Sequence, residues 1–269
     1  MPVILPTAMW FPPEKPTPQR HLCSIMRSVC LLLLALLCVS SAARAGVVIG
    51  GTRVVYGENK SGKQSGVSLS LRNNSDYPWL IKSLVISGGV WPGTVKSNEK
   101  SPFIITPPLF VLKGGRESAV RIINLQDNLP KDRESLFTLT IASIPSGKIS
   151  GNSVQIAVRS QLKLLYRPAS LKGNVKEAYK KLRWKRTAKR LIIENPTPYY
   201  VTLFDVQING HPIRNAGMVA PFSKRETAWC QQKNAACPIS WKSINDYGGI
   251  TPAVSLRAGD TWSAIKPQS

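Results

Sequence analysis

The stretch VQIAVRSQLKLLYRP, residues 154–168, contains the strongest secondary-structure signal in the chain. Apolar and more polar side chains alternate through its first half, in the order Val154, Gln155, Ile156, Ala157, Val158 and Arg159. This period of two predicts one long β-strand over residues 154–166. Because proline has no N–H to donate to a β-ladder, Pro168 is expected to end the strand and to mark a domain boundary.

Short predicted strands fill both sides of this boundary. Residues 46–166 contain about seven or more of them, separated by turn signals and without a convincing long helix, which is typical of an immunoglobulin-like sandwich. Residues 167–269 begin with a basic stretch and then return to short strands, with a turn at Asn209-Gly210. The sequence therefore predicts an all-β chain of two β-sandwich domains, the second smaller than the first.

An export signal is predicted at the N-terminus. CLLLLALLCV, residues 30–39, is an apolar run preceded by Arg27 and followed by an ARA sequence that ends at Ala45. This order of features predicts a signal peptide cleaved after Ala45, within a presequence of residues 1–45, and the run is too short to span a membrane comfortably. The alternative is a buried core helix. Starting at Met26 gives a compact signal peptide, so translation is predicted to begin there.

The chain is strongly basic, with a formal net charge of +22 at pH 7. Removing residues 1–45 takes away four basic residues and one acidic residue, which leaves +19. Nucleic acid, an anionic membrane surface and acidic protein surfaces are the partners that such a charge favours. Export argues against nucleic acid, and the basic stretch over residues 172–190 is expected to be a solvated surface.

Two cysteines follow the predicted cleavage site. Cys230 and Cys237 are close in sequence, and in an oxidising compartment they are expected to form one local disulfide. A metal pair is the alternative, but His211 is the single histidine after residue 45, so further soft ligands are missing. No metal and no other cofactor is predicted.

Recognisable catalytic motifs are absent from the sequence. His211 falls in a predicted turn, which favours a surface histidine over a Ser-His-Asp or Cys-His arrangement. Asp132 and Glu134 flank Arg133, so structural ion pairing is favoured over catalysis by paired carboxylates. The sequence therefore predicts that the protein is not an enzyme.

The long strand over residues 154–166 has two interpretations. A strand at the end of a sandwich domain, next to a polar loop, is often an edge strand, and an exposed edge with an apolar row can pair with another chain. The alternative is an ordinary strand that faces the core.

Seven sequence blocks resemble, in one order, the periplasmic pilus chaperones of the chaperone–usher pathway. The blocks are TRVVY (52–56), RNNSDYPWLI (72–81), TPPLF (106–110), LPKDRESLF (129–137), QIAVRSQLKLLYRP (155–168), NPTPYYVT (195–202) and INDYGG (244–249). Together they span nearly all of the chain after the signal peptide. The resemblance implies two immunoglobulin-like domains in an L-shaped arrangement with an interdomain cleft, and it favours the edge-strand interpretation.

The resemblance also implies a function. Family members bind pilin subunits, which are incomplete sandwiches without their last strand, and deliver them to an outer-membrane usher. The chaperone lends its own edge strand, so Val154, Ile156 and Val158 are expected to enter the groove of the subunit. A periplasmic location, and self-association that shields the edge strand in some members, are further expectations from the family. The mature chain is not expected to insert into a membrane.

Two basic residues of the family's cleft anchor the C-terminal carboxylate of the subunit. They map onto Arg53, in GTRVVY, and Lys163, in LKLLYRP. Strict alternation puts Lys163 on the opposite strand face from Val158. We therefore expect a twist or bulge in the strand, or a carboxylate that reaches around its edge.

A further set of residues is structural. The family's interdomain ion network maps onto Arg121, Glu134 and Asp246. The Cys230–Cys237 pair is a departure, because it is not a general feature of the family.

A different class of function remains as the alternative: an exported pilus or adhesin subunit, which is a structural protein. Such a subunit should lack its final strand, whereas here the first domain has a full-length last strand and a second sandwich follows.

Overall fold

The structure is a computed structural model, and it describes residues 46–58, 66–126, 128–147, 154–187, 190–230 and 237–256. The predicted signal peptide, the start at Met26 and the cleavage site after Ala45 lie outside the described residues. No helix in the part of the chain that the structure describes is long and apolar enough to cross a membrane.

Two facing sheets form a first sandwich. In chain order, its strands in the described residues up to 167 are β1 (Val47–Ile49), β2 (Arg53–Gly57), β3 (Val67–Asn73), β4 (Trp79–Ser87), β5 (Phe103–Thr106), β6 (Leu109–Leu112), β7 (Glu117–Asn124), β8 (Ser135–Pro145) and β9 (Val158–Arg167). One sheet has the order β1-β3-β7-β5 and is antiparallel. The other has the order β2-β9-β8-β4-β6, in which β2 and β9 run parallel.

Alternate side chains of these strands form the first core. Leu71 of β3, Ile122 of β7 and Ile141 of β8 are fully buried between the sheets. Each such aliphatic side chain contributes about 1.5–3 kcal/mol through burial. The rings of Tyr56 and Phe103 pack edge to face, with centroids 5.1 Å apart.

The strand β9 differs from its prediction at one end. It begins at Val158, because its antiparallel ladder with β8 starts where Val158 lies opposite Ser143. Residues 154–157 precede that ladder and are not in a strand. The register of β9 then continues unbroken, so of the three alternatives (a twist, a bulge or a carboxylate that reaches around the edge) the bulge is not present in the described ladder.

The two long sides of β9 are paired differently. Along one side β9 pairs with β8 from Val158 onwards, whereas along the other side β2 pairs only with the stretch from Lys163 to Arg167. In the described part of the chain, the first half of β9 therefore has an open edge.

A second pair of sheets follows β9. It consists of a 3₁₀ helix (Val175–Lys181) and, within the described residues, the strands β10 (Arg183–Arg186), β11 (Leu191–Asn195), β12 (Val201–Ile208), β13 (His211–Ile213), β14 (Met218–Val219), β15 (Ser223–Thr227), β16 (Ile239–Ser243) and β17 (Val254–Leu256). One sheet has the order β10-β11-β15, and the other has the order β13-β12-β16-β17, with β14 paired to β12.

Two tryptophans lie in the second core. Trp241 is fully buried, its indole N–H donates to the carbonyl oxygen of Tyr179 at 3.0 Å, and its ring lies 5.2 Å from that of Trp184. Cys230 is buried at the edge of this core and forms a disulfide with Cys237, which confirms the predicted pairing.

A buried asparagine organises a turn in each sandwich. The side-chain oxygens of Asn73 and Asn195 accept the backbone N–H groups of Ser75 and Thr197, at 2.9 and 3.0 Å. The two side-chain amides donate to the carbonyl oxygens four residues further on. These bonds satisfy backbone groups that would otherwise be buried without partners, and they explain the turn residues in the RNNSDYPWLI and NPTPYYVT blocks.

A third, smaller cluster joins the two sandwiches. Leu136 of β8 and Leu165 of β9 pack against Met218 of β14, with Trp91 and Tyr200 at the periphery. Leu165 can reach the second sandwich because odd-numbered residues of β9 point away from the first core, which contains Leu162, Leu164 and Tyr166.

Candidate functional site

Arg53 and Lys163 lie side by side where the two sandwiches face each other. They are direct partners in the parallel ladder between β2 and β9. Their ladder neighbours Val54 and Leu164 point into the first core, so alternation turns Arg53 and Lys163 towards the second sandwich. The structure therefore brings together the two residues that the sequence predicted as a carboxylate anchor.

Arg53 is half-buried and only partly satisfied. One terminal nitrogen, Nη1, donates to the carbonyl oxygen of Ile244 at 2.9 Å. Its Nε is buried and has no hydrogen-bond partner. Burial lowers the pKa of the Arg53 guanidinium, and the negative charges of Asp246 and Glu134 oppose that shift. The side chain stays charged and has a free donor.

Lys163 is held without an acidic partner in the described residues. Its ammonium nitrogen lies 4.3 Å from the ring centroid of Trp91. Burial, followed by repulsion from Arg53, lowers the pKa of Lys163 to about 8. Two neighbouring cations in a poorly hydrated place form a site that favours an anion.

A cleft of about 490 Å³ extends from Arg53 along the second sandwich. Arg53 and Leu165 line it from the first sandwich. The 3₁₀ helix, Tyr200 and the segment after β16 line it from the second. The carboxylate of Asp246 also reaches this cleft, but Arg167 neutralises it, as described next.

Arg167 links the two sandwiches through an ion network. Its Nε donates to Glu134 at 2.6 Å, and its terminal nitrogens donate to both oxygens of Asp246 at 2.6 and 2.8 Å. Glu134 is almost fully buried and also accepts the backbone N–H of Tyr200 at 2.7 Å. Burial raises the pKa of the Glu134 carboxyl, while the charge of Arg167 opposes that shift.

In this network Arg167 stands where the sequence predicted Arg121. Arg121 lies on β7, opposite Ser68 and Thr106, in the sheet that does not contain β9. It is exposed, and no ion pair joins it to Glu134 or Asp246 in the described part of the chain. The expected placement of Arg121 is therefore corrected, while Glu134 and Asp246 are both bound by Arg167.

Val154, Ile156 and Val158 form an exposed apolar row. Their side chains are 89, 69 and 51 % exposed, so the alternative of a core-facing strand does not hold for these three positions. They share the parity of the core residues of β9 but lie before the point where the first core begins. Val158 and Lys163 therefore point to opposite faces of β9, as strict alternation predicts.

Other candidate residues have structural surroundings. His211 is exposed at the start of β13. Asp132 pairs with Arg133 at 2.6 Å on the surface. Among the described residues, no group of three or more His, Cys, Asp or Glu side chains comes together in a way that could hold a metal ion.

Two residues of the site were not predicted. Arg167 could have been found, because alternation along LKLLYRP puts it on the same face as Lys163. Trp91 could not, because it lies in the connection between β4 and β5, whose path depends on contacts with the second sandwich.

Comparison with known proteins agrees with this geometry. Residues 46–172 match the family model "Pili and flagellar-assembly chaperone, PapD N-terminal domain", and residues 177–255 match "Pili assembly chaperone PapD, C-terminal domain". The fimbrial chaperone YcbF of Escherichia coli is 42% identical over 224 residues, which cover 82% of this chain and 93% of YcbF. The chaperone FimC of Escherichia coli is 36% identical over 229 residues, which cover 84% of this chain and 90% of FimC.

Solved structures show the same fold. The chaperone DraB of Escherichia coli superposes with a TM-score of 0.65 at 34% identity, over 79% of this chain and 96% of DraB. A complex of the SafA pilin with the SafB chaperone from Salmonella enterica gives a TM-score of 0.68 at 29% identity, over 81% of this chain and 98% of the matched chain. These matches are to chaperones and favour that role over the alternative of a pilus subunit. The chain therefore belongs to the pilus chaperone family of the chaperone–usher pathway, and it is a fimbrial chaperone.

Proposed function

We propose that this chaperone binds pilin subunits in the periplasm by donor-strand complementation and delivers them to an outer-membrane usher. One observation supports this best: Lys163, which lies beside Arg53 of β2 in the parallel ladder, belongs to the same segment of chain as the exposed row Val154, Ile156 and Val158. A carboxylate site and an open β-edge in one line suit a partner that ends in an unpaired strand.

The anchor suits a C-terminal carboxylate. Arg53 has a buried Nε without a partner, and Lys163 has no carboxylate beside it in the described residues. An incoming carboxylate would supply the missing acceptors and would neutralise two cations that repel each other. Charge-assisted hydrogen bonds of this kind are about twice as strong as neutral ones.

The open edge suits an incomplete sandwich. The unpaired side of β9 can donate and accept backbone hydrogen bonds, and the apolar row can fill an empty core position in a partner. Burying each of the three side chains is worth about 1.5–3 kcal/mol before ordering costs are subtracted.

The anchor also fixes the register. Lys163 follows Val158 by five residues, which is about 17 Å along an extended strand. A slip of one residue would point every apolar side chain of a paired strand to the wrong face. A fixed chain end therefore prevents pairing in a shifted register.

The test is co-expression in a bacterial periplasm with candidate pilins, followed by pull-down. Wild type is compared with Arg53→Ala and Lys163→Ala, and with Arg121→Ala as the matched control, because Arg121 is an exposed arginine of the same sandwich. We expect both anchor variants to lose at least about tenfold in captured subunit, and Arg121→Ala to capture as wild type does.

Two other outcomes have distinct meanings. If the anchor variants capture as much subunit as wild type, the assignment of Arg53 and Lys163 is wrong. If wild type captures no pilin, the proposed partner is wrong.

A further inference from the structure

A tight hairpin follows β4 and reaches the site. This Trp91 hairpin comprises residues 88–96. Gly88 bridges to Lys96 at its base, and the N–H of Gly89 donates to the carbonyl oxygen of Val95 at 3.0 Å. At the tip, the hydroxyl of Thr94 donates to the carbonyl oxygen of Trp91 at 2.6 Å. These bonds give the hairpin a defined shape.

The tip of the Trp91 hairpin is bonded to the second sandwich. The N–H of Met218, the first residue of β14, donates to the carbonyl oxygen of Pro92 at 2.8 Å. The approach is so close that a Cβ on Gly93 would collide with the carbonyl oxygen of Met218, and a Cβ on Gly217 would collide with that of Pro92. The hairpin therefore bridges the two sandwiches beside the anchor.

This bridge sets the indole of Trp91 over the Lys163 ammonium. The ring packs against the cluster of Leu136, Leu165 and Met218, and Nζ of Lys163 lies 4.3 Å from its centroid. The base of the hairpin is fixed to the same part of the sheet, because the hydroxyl of Thr138, the ladder partner of Lys163 on β8, donates to the carbonyl oxygen of Gly88 at 2.9 Å.

The other neighbours of Lys163 do not compensate its charge. Arg53 on β2 repels it. Glu134 and Asp246 are bound to Arg167. Tyr200, which precedes β12, and Arg225, whose Nη1 donates to the carbonyl oxygen of Met218 at 3.1 Å, are further titratable side chains at this cluster, and neither supplies a carboxylate. The negative face of the Trp91 ring is therefore the favourable electrostatic contact that the ammonium makes in the described structure.

We propose that Trp91 is a positioning residue for the carboxylate anchor, whose ring holds the Lys163 ammonium beside Arg53 before a chain-terminal carboxylate binds. This role rests on the proposed function, because it presumes a carboxylate ligand. The hairpin thereby couples two tasks: it bridges the sandwiches and it keeps the anchor charged. A residue that acts in this way tunes affinity without contacting the strand of the ligand.

The first experiment uses the free protein and needs no subunit. The side-chain NMR signal of Lys163, assigned with Lys163→Met, is titrated in wild type, Trp91→Phe and Trp91→Leu. Leucine keeps an apolar cover but has no π-face, whereas phenylalanine keeps a weaker one. We expect a wild-type midpoint near pH 8. In Trp91→Leu the midpoint should fall by roughly half to one and a half pH units, with Trp91→Phe in between.

The second experiment measures binding of a synthetic peptide. It copies the C-terminal strand of a subunit captured by wild type, and it is made as the free acid and as the C-terminal amide. Affinity for the acid should be greatest below the pKa of Lys163 and decline as the pH rises through it. In Trp91→Leu that decline should begin at lower pH and leave acid binding at pH 8 about threefold to tenfold weaker, with amide binding unchanged.

The outcomes separate this role from the proposed function. An unchanged Lys163 midpoint in Trp91→Leu, or an equal loss for acid and amide peptides, overturns the positioning role and leaves Trp91 as a packing residue. Acid and amide peptides that bind wild type equally well would instead overturn the carboxylate anchor, and the NMR titration would still report on Trp91.

Discussion

Lys163 occupies a position that does not favour its own charge. It is half-buried, it faces Arg53 across one rung of a ladder, and no carboxylate pairs with it in the described residues. Charged side chains kept in such places reduce stability and often have a binding role. In the free protein, Lys163 therefore lowers the stability of the fold, and we expect a bound anion to offset this cost.

Lys163→Met should therefore stabilise the free protein at pH 7. The pKa of Lys163 falls from an ordinary 10.5 to about 8 on folding, so folding disfavours its charged form below pH 8. That cost disappears between pH 8 and 10.5, where the lysine becomes neutral. After a discount for solvent exposure, we expect a gain on the order of 1 kcal/mol at pH 7 that shrinks towards pH 10.5. Chemical denaturation at several pH values measures it.

The control for this measurement is Lys113→Met, which removes an exposed lysine from the turn after β6. It should leave stability unchanged within about 0.5 kcal/mol. A Lys163→Met variant that is less stable than wild type at pH 7 would contradict the electrostatic account.

At the scale of the element, β9 shows what periodicity can and cannot predict. Alternation correctly predicted a strand up to Tyr166 and the opposite orientation of Val158 and Lys163. Val154, Ile156 and Val158 are exposed, but so are residues 155 and 157, and the alternation before β9 stays a prediction. Alternation placed the start of the strand too early. Where a ladder begins depends on the partner strand, and no pattern within residues 154–157 contains the information that β8 first meets β9 at Ser143.

Ile156→Asp should abolish subunit capture with little effect on the free protein. Ile156 is exposed and lies outside the ladder, so the free energy of unfolding should change by less than about 0.5 kcal/mol. In a complex, the same carboxylate would be buried in an apolar groove without a partner. Pull-down from the periplasm and thermal melting measure the two effects.

Gln155→Asp is the matched control. It introduces the same charge one residue away, at a position outside the predicted apolar row, and it should retain capture. Equal losses from both substitutions would indicate that charge near the loop, and not the apolar row, decides binding.

On the scale of the whole molecule, Arg167 connects parts that are distant in sequence. The sequence identified Glu134 and Asp246 as network residues, and the structure joins them through Arg167. The choice of Arg121 was incorrect, because the sequence does not show which of the two sheets faces the second sandwich. Strand patterns establish that two sheets exist, but the facing sheet is determined by tertiary packing of residues such as Leu136 and Leu165 against Met218.

Arg167→Ala should destabilise the protein by about 3–5 kcal/mol at pH 7, because Glu134 would stay buried without a cation. Arg121→Ala should change stability by less than about 0.5 kcal/mol. Burial raises the pKa of Glu134, and loss of Arg167 should raise it further. The defect should therefore shrink as the pH falls and Glu134 becomes protonated. Urea denaturation at pH 7 and pH 5 provides the comparison, and a defect that is equal at both would argue against this cause.

The pairing of β2 with β9 has a consequence for how this protein can vary. Because Arg53 and Lys163 are opposite each other in a parallel ladder, the distance between their Cα atoms is set by the spacing of the two strands and not by side-chain packing. Substitutions around the pair can change its affinity for an anion, but they leave this backbone distance unchanged. An insertion or deletion of one residue in β2 would instead place a neighbour of Arg53 opposite Lys163. The pairing of the two cations is therefore either kept or lost entirely, and it cannot shift gradually.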